Sequence, residues 1–324
     1  MQNKKIMISI LLIGAVFFLS IGIVINFKFS SFTWEMNETK ILDVQLGFAN
    51  KPFSEMHESG YMDFRINSLG FRGKEIDNSK PSIVLLGSSM VFGDGVSDPD
   101  TLAVQLENQL AGRKSPMNVI NAGVIGYGLD QKYKLLKTRI LERTPPPDYI
   151  VWFLSPIDFS VNSTIIVDLY DINPVDGSLI ERDVTKSIFY RSTSIAMWLN
   201  QHYNVWFTGF LYTLINRWNN QNELAIEKKY GVLKFEKIMG LVQDLSRKTK
   251  IPIYVVVLPD RYHKVNWAFT KNRVQLPFYD LNNEPNLRKN WDKLFLENNL
   301  HLSGFGNAEV SAVLINLLFK NTKI

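Results

Sequence analysis

"IVLLGSSMVFGDGV", Ile83 to Val96, is the stretch whose reading decides the fold. Its first residues, Ile83 to Leu86, are apolar without alternation, as a strand buried on both faces requires. The run then stops at Gly87-Ser88-Ser89 and turns glycine-rich. In open α/β sheets the reactive groups sit at the carboxyl ends of strands, where the chain leaves the sheet. Ser88 and Ser89 stand at such an end. Backbone N–H groups of a following helix favour a developing oxyanion there, so a hydroxyl at this point is a candidate nucleophile. Two other strand-to-helix motifs are excluded. Val91 occupies the place of the second glycine of G-x-S-x-G, and no G-K-[ST] follows.

Outward from this stretch the same rhythm repeats. Val119 to Asn121, Tyr149 to Leu154 and Ile253 to Leu258 read as further buried strands. Between them lie helical patterns, Thr101 to Leu110 with Leu102, Leu106 and Leu110 on one face, and Leu129 to Glu142 with Tyr133, Leu136 and Ile140. The prolines at Pro145, Pro146 and Pro147 stop the second helix before the next strand. This is the alternation of an α/β domain with a parallel sheet. It breaks over about 160–230, where "IAMWLNQHYNVWFTGFLYTLINRW" (Ile195 to Trp218) reads as part of an insertion, either packed on the core or serving as a lid or membrane contact.

Composition narrows the function. With 46% apolar and 21% charged residues, the 324-residue chain can bury a large core. Its 36 Lys and Arg against 31 Asp and Glu are spread along the chain, which gives no basic patch for nucleic acid. The absence of cysteine removes thiol nucleophiles and Cys-ligated zinc. At the N-terminus, Ile6 to Ile25 is uncharged over 20 residues, with Lys4 and Lys5 before it and Lys28 after it. At about 1.5 Å per residue such a helix spans the roughly 30 Å of bilayer hydrocarbon. The preceding lysines favour an N-inside orientation, with the main domain outside the cytoplasmic membrane; a cleaved signal peptide is the rival reading. The expected organisation is an anchor over 1–29, a tether and lead-in over 30–80 containing "NSLGFRG" (Asn67 to Gly73), and an α/β domain over 81–324.

Gly87-Ser88-Ser89-Met90-Val91-Phe92-Gly93 resembles the first block, G-D-S-x-x-x-G, of the SGNH (GDSL) hydrolases, with Ser88 in place of the aspartate. "NVINAGVIGYG" (Asn118 to Gly128) is similar to the second block, "PDYIVWFLSPIDF" (Pro147 to Phe159) to the third, and "NNLHLSGFGNAEVSAVL" (Asn298 to Leu314) to the last. The resemblance implies a three-layer α/β/α, flavodoxin-like domain and a serine esterase or O-acyltransferase. Ser89 would be the nucleophile, His301 the general base, and the N–H groups of Ser89 and Gly126 the oxyanion hole, with Gly123 the second choice to Gly126. No cofactor and no metal is implied. The implied substrate class is acyl esters, those of cell-envelope glycans among them.

The chain departs from that pattern at two places. Ile157 stands where the third block has its oxyanion-hole asparagine, although Asp158 follows it, and Asn162 is a candidate substitute. Asn298 or Asn299 stands where the last block has the aspartate that serves the histidine, and a main-chain carbonyl or Glu297 could orient the ring instead. The acidic residues Asp94, Asp98 and Asp100 lack the spacing of a calcium loop and read as a solvated loop near the site. The alternative function is therefore a catalytically inactive binding or assembly protein on the same fold.

Overall fold

The computed structural model describes residues 38–58, 62–112, 116–155, 158, 169–186, 190–191, 194, 231–262, 270–297 and 299–319. The apolar run Ile6 to Ile25, the segment Ile195 to Trp218, Ile157, Asn162 and Asn298 lie outside them. Among the described residues no helix is long and apolar enough to cross a membrane.

The chain enters through two antiparallel hairpins, β1 (Lys40–Asp43) with β2 (Gly47–Asn50), and β3 (Glu55–Glu58) with β4 (Met62–Arg65). Then come β5 (Ser82–Gly87), the single turn α1 (Ser89–Phe92), α2 (Leu102–Ala111), β6 (Asn118–Gly123), α3 (Leu129–Leu135) and β7 (Tyr149–Leu154). A small hairpin of β8 (Tyr170–Ile172) and β9 (Leu179–Glu181) precedes a helix described over 231–249, here α4. The chain closes with β10 (Ile253–Val257), β11 (Phe278–Asp280) and α5 (Gly304–Phe319).

Five strands form one parallel sheet in the order β11-β10-β7-β5-β6. In chain order of the sheet strands this is the flavodoxin-like arrangement, which reverses direction beside the first strand. Alternation along β5 feeds two cores. Val84 and Leu86 join Trp152, Tyr133, Ile238 and Val242 on one face, and Ile83 and Leu85 join Leu102, Leu106, Val310 and Leu314 on the other. The sheet is thus covered by α3 and α4 on one side and by α2 and α5 on the other, the three-layer α/β/α architecture.

Thr101 caps α2, its hydroxyl accepting from the Val104 N–H. The pattern over Leu129 to Glu142 is α-helical only to Leu135, after which Leu136–Ile140 is a π turn. The fifth strand, β11, is a three-residue, half-buried edge strand with no apolar run to mark it. The described residues of 38–80 are packed against the domain. Tyr127 donates its hydroxyl to the Phe48 carbonyl at 2.6 Å, and Gln131 Nε2 donates to the Leu46 carbonyl at 2.9 Å. The Arg72 N–H bonds the Asn121 carbonyl of β6, so this segment covers part of the sheet's edge.

Candidate active site

The end of β5 and the start of α1 make a sharp elbow with Ser89 at its outer side. The Ser89 carbonyl accepts from the N–H groups of both Gly93 and Asp94, at 2.9 and 3.0 Å, which closes the single helical turn. Gly93 adopts φ 92°, the left-handed conformation that ends a helix at low cost for glycine. The elbow also lies close to β6. A Cβ on Gly123 would stand 2.2 Å from the Phe92 nitrogen, so that position admits only glycine.

One buried guanidinium holds the exit of this elbow. Arg72 Nη1 donates to the carbonyls of Phe92 and Gly93 at 3.0 and 2.8 Å, and Nη2 to that of Val96 at 2.7 Å. Its Nε donates to Asp98 at 2.8 Å, and its Cζ lies 5.0 and 4.8 Å from the ring centres of Phe64 and Phe92. Burial pulls this guanidinium downward from its ordinary value, against the hydrogen bond and charge of Asp98. An arginine nevertheless stays ionised. The "NSLGFRG" piece builds the delivery. Asn67 Oδ1 accepts from the N–H groups of Leu69 and Phe71, and Gly70 supplies a left-handed φ of 79°.

After β6 the chain forms a tight turn whose Val124 N–H bonds the Gly87 carbonyl and whose Tyr127 N–H bonds the Val124 carbonyl. Gly126 occupies the position of that turn needing a positive φ, here 87°. Among the described residues neither the Ser89 nor the Gly126 N–H is committed to a backbone carbonyl, as donors of an oxyanion hole must be. Gly123 has the steric role and Gly126 the free N–H, which separates the two candidates.

Below the elbow runs a buried polar chain. Ser88 turns inward, its hydroxyl 3.3 Å from that of Ser155. Ser155 donates its N–H to Asp158 at 2.8 Å, and Asp158 forms an ion pair with Lys132 at 2.5 Å, both side chains fully buried. Lys132 also donates to the Phe153 carbonyl at 3.0 Å. Burial drives the Lys132 ammonium down and the Asp158 carboxyl up, each opposed by the charge of the other. The Asp158 carboxylate thus ties Ser155, just after β7, to Lys132 of α3.

His301 lies 212 residues from Ser89 in sequence, and its Nε2 is 2.8 Å from the Ser89 Oγ. The loop after Phe295 delivers it. Leu296 N–H bonds the His301 carbonyl, and Arg261 donates to the carbonyls of Leu296 and Asn299 at 2.8 and 2.7 Å. Ser303 then starts α5, its hydroxyl accepting from Gly306 at 3.1 Å. Asn299 Oδ1 accepts the N–H groups of Leu300 and His301 at 2.7 and 3.1 Å, so its amide oxygen serves the loop backbone rather than the ring. His301 Nδ1 is buried and, among the described residues, has no partner. For Nε2 to accept from Ser89, the ring proton must sit on this nitrogen.

The three acidic residues do different work. Asp98 receives Arg72 and the Arg65 N–H; the Asp100 carbonyl accepts from Asn307 Nδ2 at 2.8 Å; Asp94 places Oδ2 at 3.6 Å from His301 Nε2. The loop read as solvated is thus part of the site's frame. Burial lowers the His301 pKa and the Asp94 charge opposes that shift. Among the described residues no group of three His, Cys, Asp or Glu side chains could hold a metal ion. Arg72, Asp94 and Lys132 carried no role in the sequence reading. Only the presence of Arg72 in a patterned motif pointed to one.

No protein-family model and no curated protein matches the chain. Solved structures similar to it include the lipase/acylhydrolase from Enterococcus faecalis, at 17% identity over 74% of this chain and 95% of that one, with a TM-score of 0.38. An acetyl xylan esterase, AlAXEase, aligns at 12% identity over 73% and 99% with a TM-score of 0.39. AlinE4, an SGNH-hydrolase family esterase, aligns at 13% over 78% and 100% with a TM-score of 0.35.

Proposed function

We propose that this chain is an SGNH-type serine esterase or O-acyltransferase acting on acyl esters. The observation that carries the reading is the 2.8 Å contact of Ser89 Oγ with His301 Nε2, made at the carboxyl end of a parallel sheet by residues from opposite ends of the domain. As Oγ attacks the ester carbonyl, the hydroxyl proton passes to Nε2 and the carbonyl π pair moves onto oxygen, facing the N–H groups of Ser89 and Gly126. Collapse breaks the bond to the leaving alcohol, which takes the proton from Nε2 and leaves an acyl-serine. Water or a second hydroxyl, deprotonated by the same nitrogen, then attacks the acyl carbonyl, and collapse breaks the bond to Ser89 Oγ, which takes the proton back from Nε2. The two acceptors distinguish hydrolase from transferase.

Anchoring by residues 6–25, an extracytoplasmic domain and glycan-borne acyl groups belong to this proposal and rest on the charge pattern around Ile6 to Ile25 together with the family resemblance. Turnover of p-nitrophenyl acetate, abolished by Ser89→Ala, tests the chemistry. A reporter that works only in the cytoplasm, fused after Ile324 and found active, would sink the topology. The second reading, a binding or assembly protein, is favoured by one feature, the buried His301 Nδ1 with no acceptor among the described residues. It requires background turnover in the wild type.

A further inference from the structure

We infer that Asp94 is the carboxylate that stabilises the imidazolium of His301 during acyl transfer, in place of the aspartate missing ahead of His301 in the sequence. The inference rests on the esterase reading and deepens it. Asp94 Oδ2 stands 3.6 Å from Nε2, and the two side chains are only 17% and 15% exposed. Its backbone is tied to the nucleophile itself, because the Asp94 N–H donates to the Ser89 carbonyl at 3.0 Å. The carboxylate and the hydroxyl therefore approach one nitrogen from a single rigid turn.

In the resting state Nε2 accepts from the Ser89 hydroxyl, with the Asp94 carboxylate 3.6 Å away. When attack transfers the proton, Nε2 becomes an N–H on a cationic ring, and the nearest described carboxylate is that of Asp94. A fixed charge at this distance in a part-buried site favours the charged form. The usual placement of the acid, on the far nitrogen, both orients the ring and stabilises its charge. Here the two tasks are divided. Asn299 and Arg261 shape the loop that aims the ring, and Asp94 supplies the charge.

The other charged groups around His301 are accounted for. Arg261 is directed at the Leu296 and Asn299 carbonyls, and Arg72 at three carbonyls and Asp98. Asp100 packs at Gly304 in the first turn of α5, where an added Cβ would lie 3.0 Å from its carboxyl group. Asp94 is the one of these acids within 4.0 Å of the ring nitrogens.

The test is the pH profile of kcat/KM on p-nitrophenyl acetate for wild type, Asp94→Asn and Asp94→Glu. Asp94→Asn should lower the plateau about tenfold, the factor carried by one pK unit of lost imidazolium stabilisation. It should also move the acid limb to lower pH, because the base loses the charge that helped hold its proton. Asp94→Glu should bring the limb back toward the wild-type position. A lower plateau with an unmoved limb would assign Asp94 a merely structural role and overturn the inference, as would an unchanged plateau. A wild type without turnover overturns the esterase reading instead. NMR titration of the His301 ring in wild type and Asp94→Asn then decides the electrostatic pairing by itself: equal midpoints refute it.

Discussion

On the nucleophile side of the site, the carbonyls of Phe92, Gly93 and Val96 all accept from the single buried guanidinium of Arg72, and Asp98 holds its remaining edge. On the histidine side, Asn299 and Arg261 bind the loop backbone, but the imidazole Nδ1 is buried without an acceptor among the described residues. One loop is thus braced at its backbone and aimed at its functional atom, while the other is braced only at its backbone. For the proposed esterase, the difference places the limit on activity at the histidine. Ser89 is preorganised, and the ring that must take its proton is fixed less completely. Substitutions near Ser89 should therefore cost stability, and substitutions near His301 should change turnover, in either direction.

The largest effect that can break this contrast is on the brace. Arg72→Met removes the guanidinium's donors to the three carbonyls, leaving Phe92 only the Asn121 amide and Gly93 only the Val96 N–H, and takes from Asp98 its buried partner, so the unfolding free energy should fall by roughly 4 kcal/mol, in the range for breaking a buried ion pair. Urea unfolding measures it, and a loss under about 1 kcal/mol, the usual value of one ordinary hydrogen bond, would refute the brace. Arg72→Lys should not rescue, since an ammonium cannot reproduce the fork. Next is the polar chain under the elbow. Lys132→Met strands the Asp158 carboxylate and should cost about 3 kcal/mol, whereas adding Asp158→Asn should recover most of that, because the penalty belongs to the unpaired buried charge.

Two smaller effects sharpen the histidine side. The resemblance puts the acid at Asn298 or Asn299, and with the Asn299 amide oxygen taken up by the loop backbone, Asn298→Asp should raise turnover on p-nitrophenyl acetate by up to about tenfold, or about 1.4 kcal/mol of barrier. Asn299→Asp should give no gain, because that side chain already accepts two loop N–H groups. Asn299→Ala should slow turnover a few-fold through loss of about 1 kcal/mol of loop ordering, with little change in the unfolding midpoint. Equal gains from both aspartates would show that the loop does not discriminate the two positions.

The sheet was legible because its central strands are buried on both faces, which leaves unbroken apolar runs such as Ile83 to Leu86. β11 was not, since a three-residue edge strand carries no such run. The hairpins before residue 66 escaped for the same reason, each strand being four residues of mixed polarity. Ser89 and His301 were visible as motif positions, and the structure brings them together. Arg72 stood in a patterned segment, yet its partners are mainly backbone carbonyls 20 to 24 residues away, which side-chain types do not reveal. Asp94, Asp98 and Asp100 looked alike in sequence. Only the left-handed turn at Gly93 and the reach of Arg72 separate the acid facing His301 from the acid that anchors the brace.

The most direct measurement of the central claim, that Ser89 and His301 act as a working pair, is the rate at which a fluorophosphonate modifies the intact chain, followed by mass spectrometry across pH. The account predicts one adduct, on Ser89, lost in Ser89→Ala and His301→Gln. The rate should rise with pH through a midpoint below the ordinary histidine value of about 6.5, because burial disfavours the imidazolium. No adduct on Ser89, or one whose rate is indifferent to His301→Gln, would contradict it.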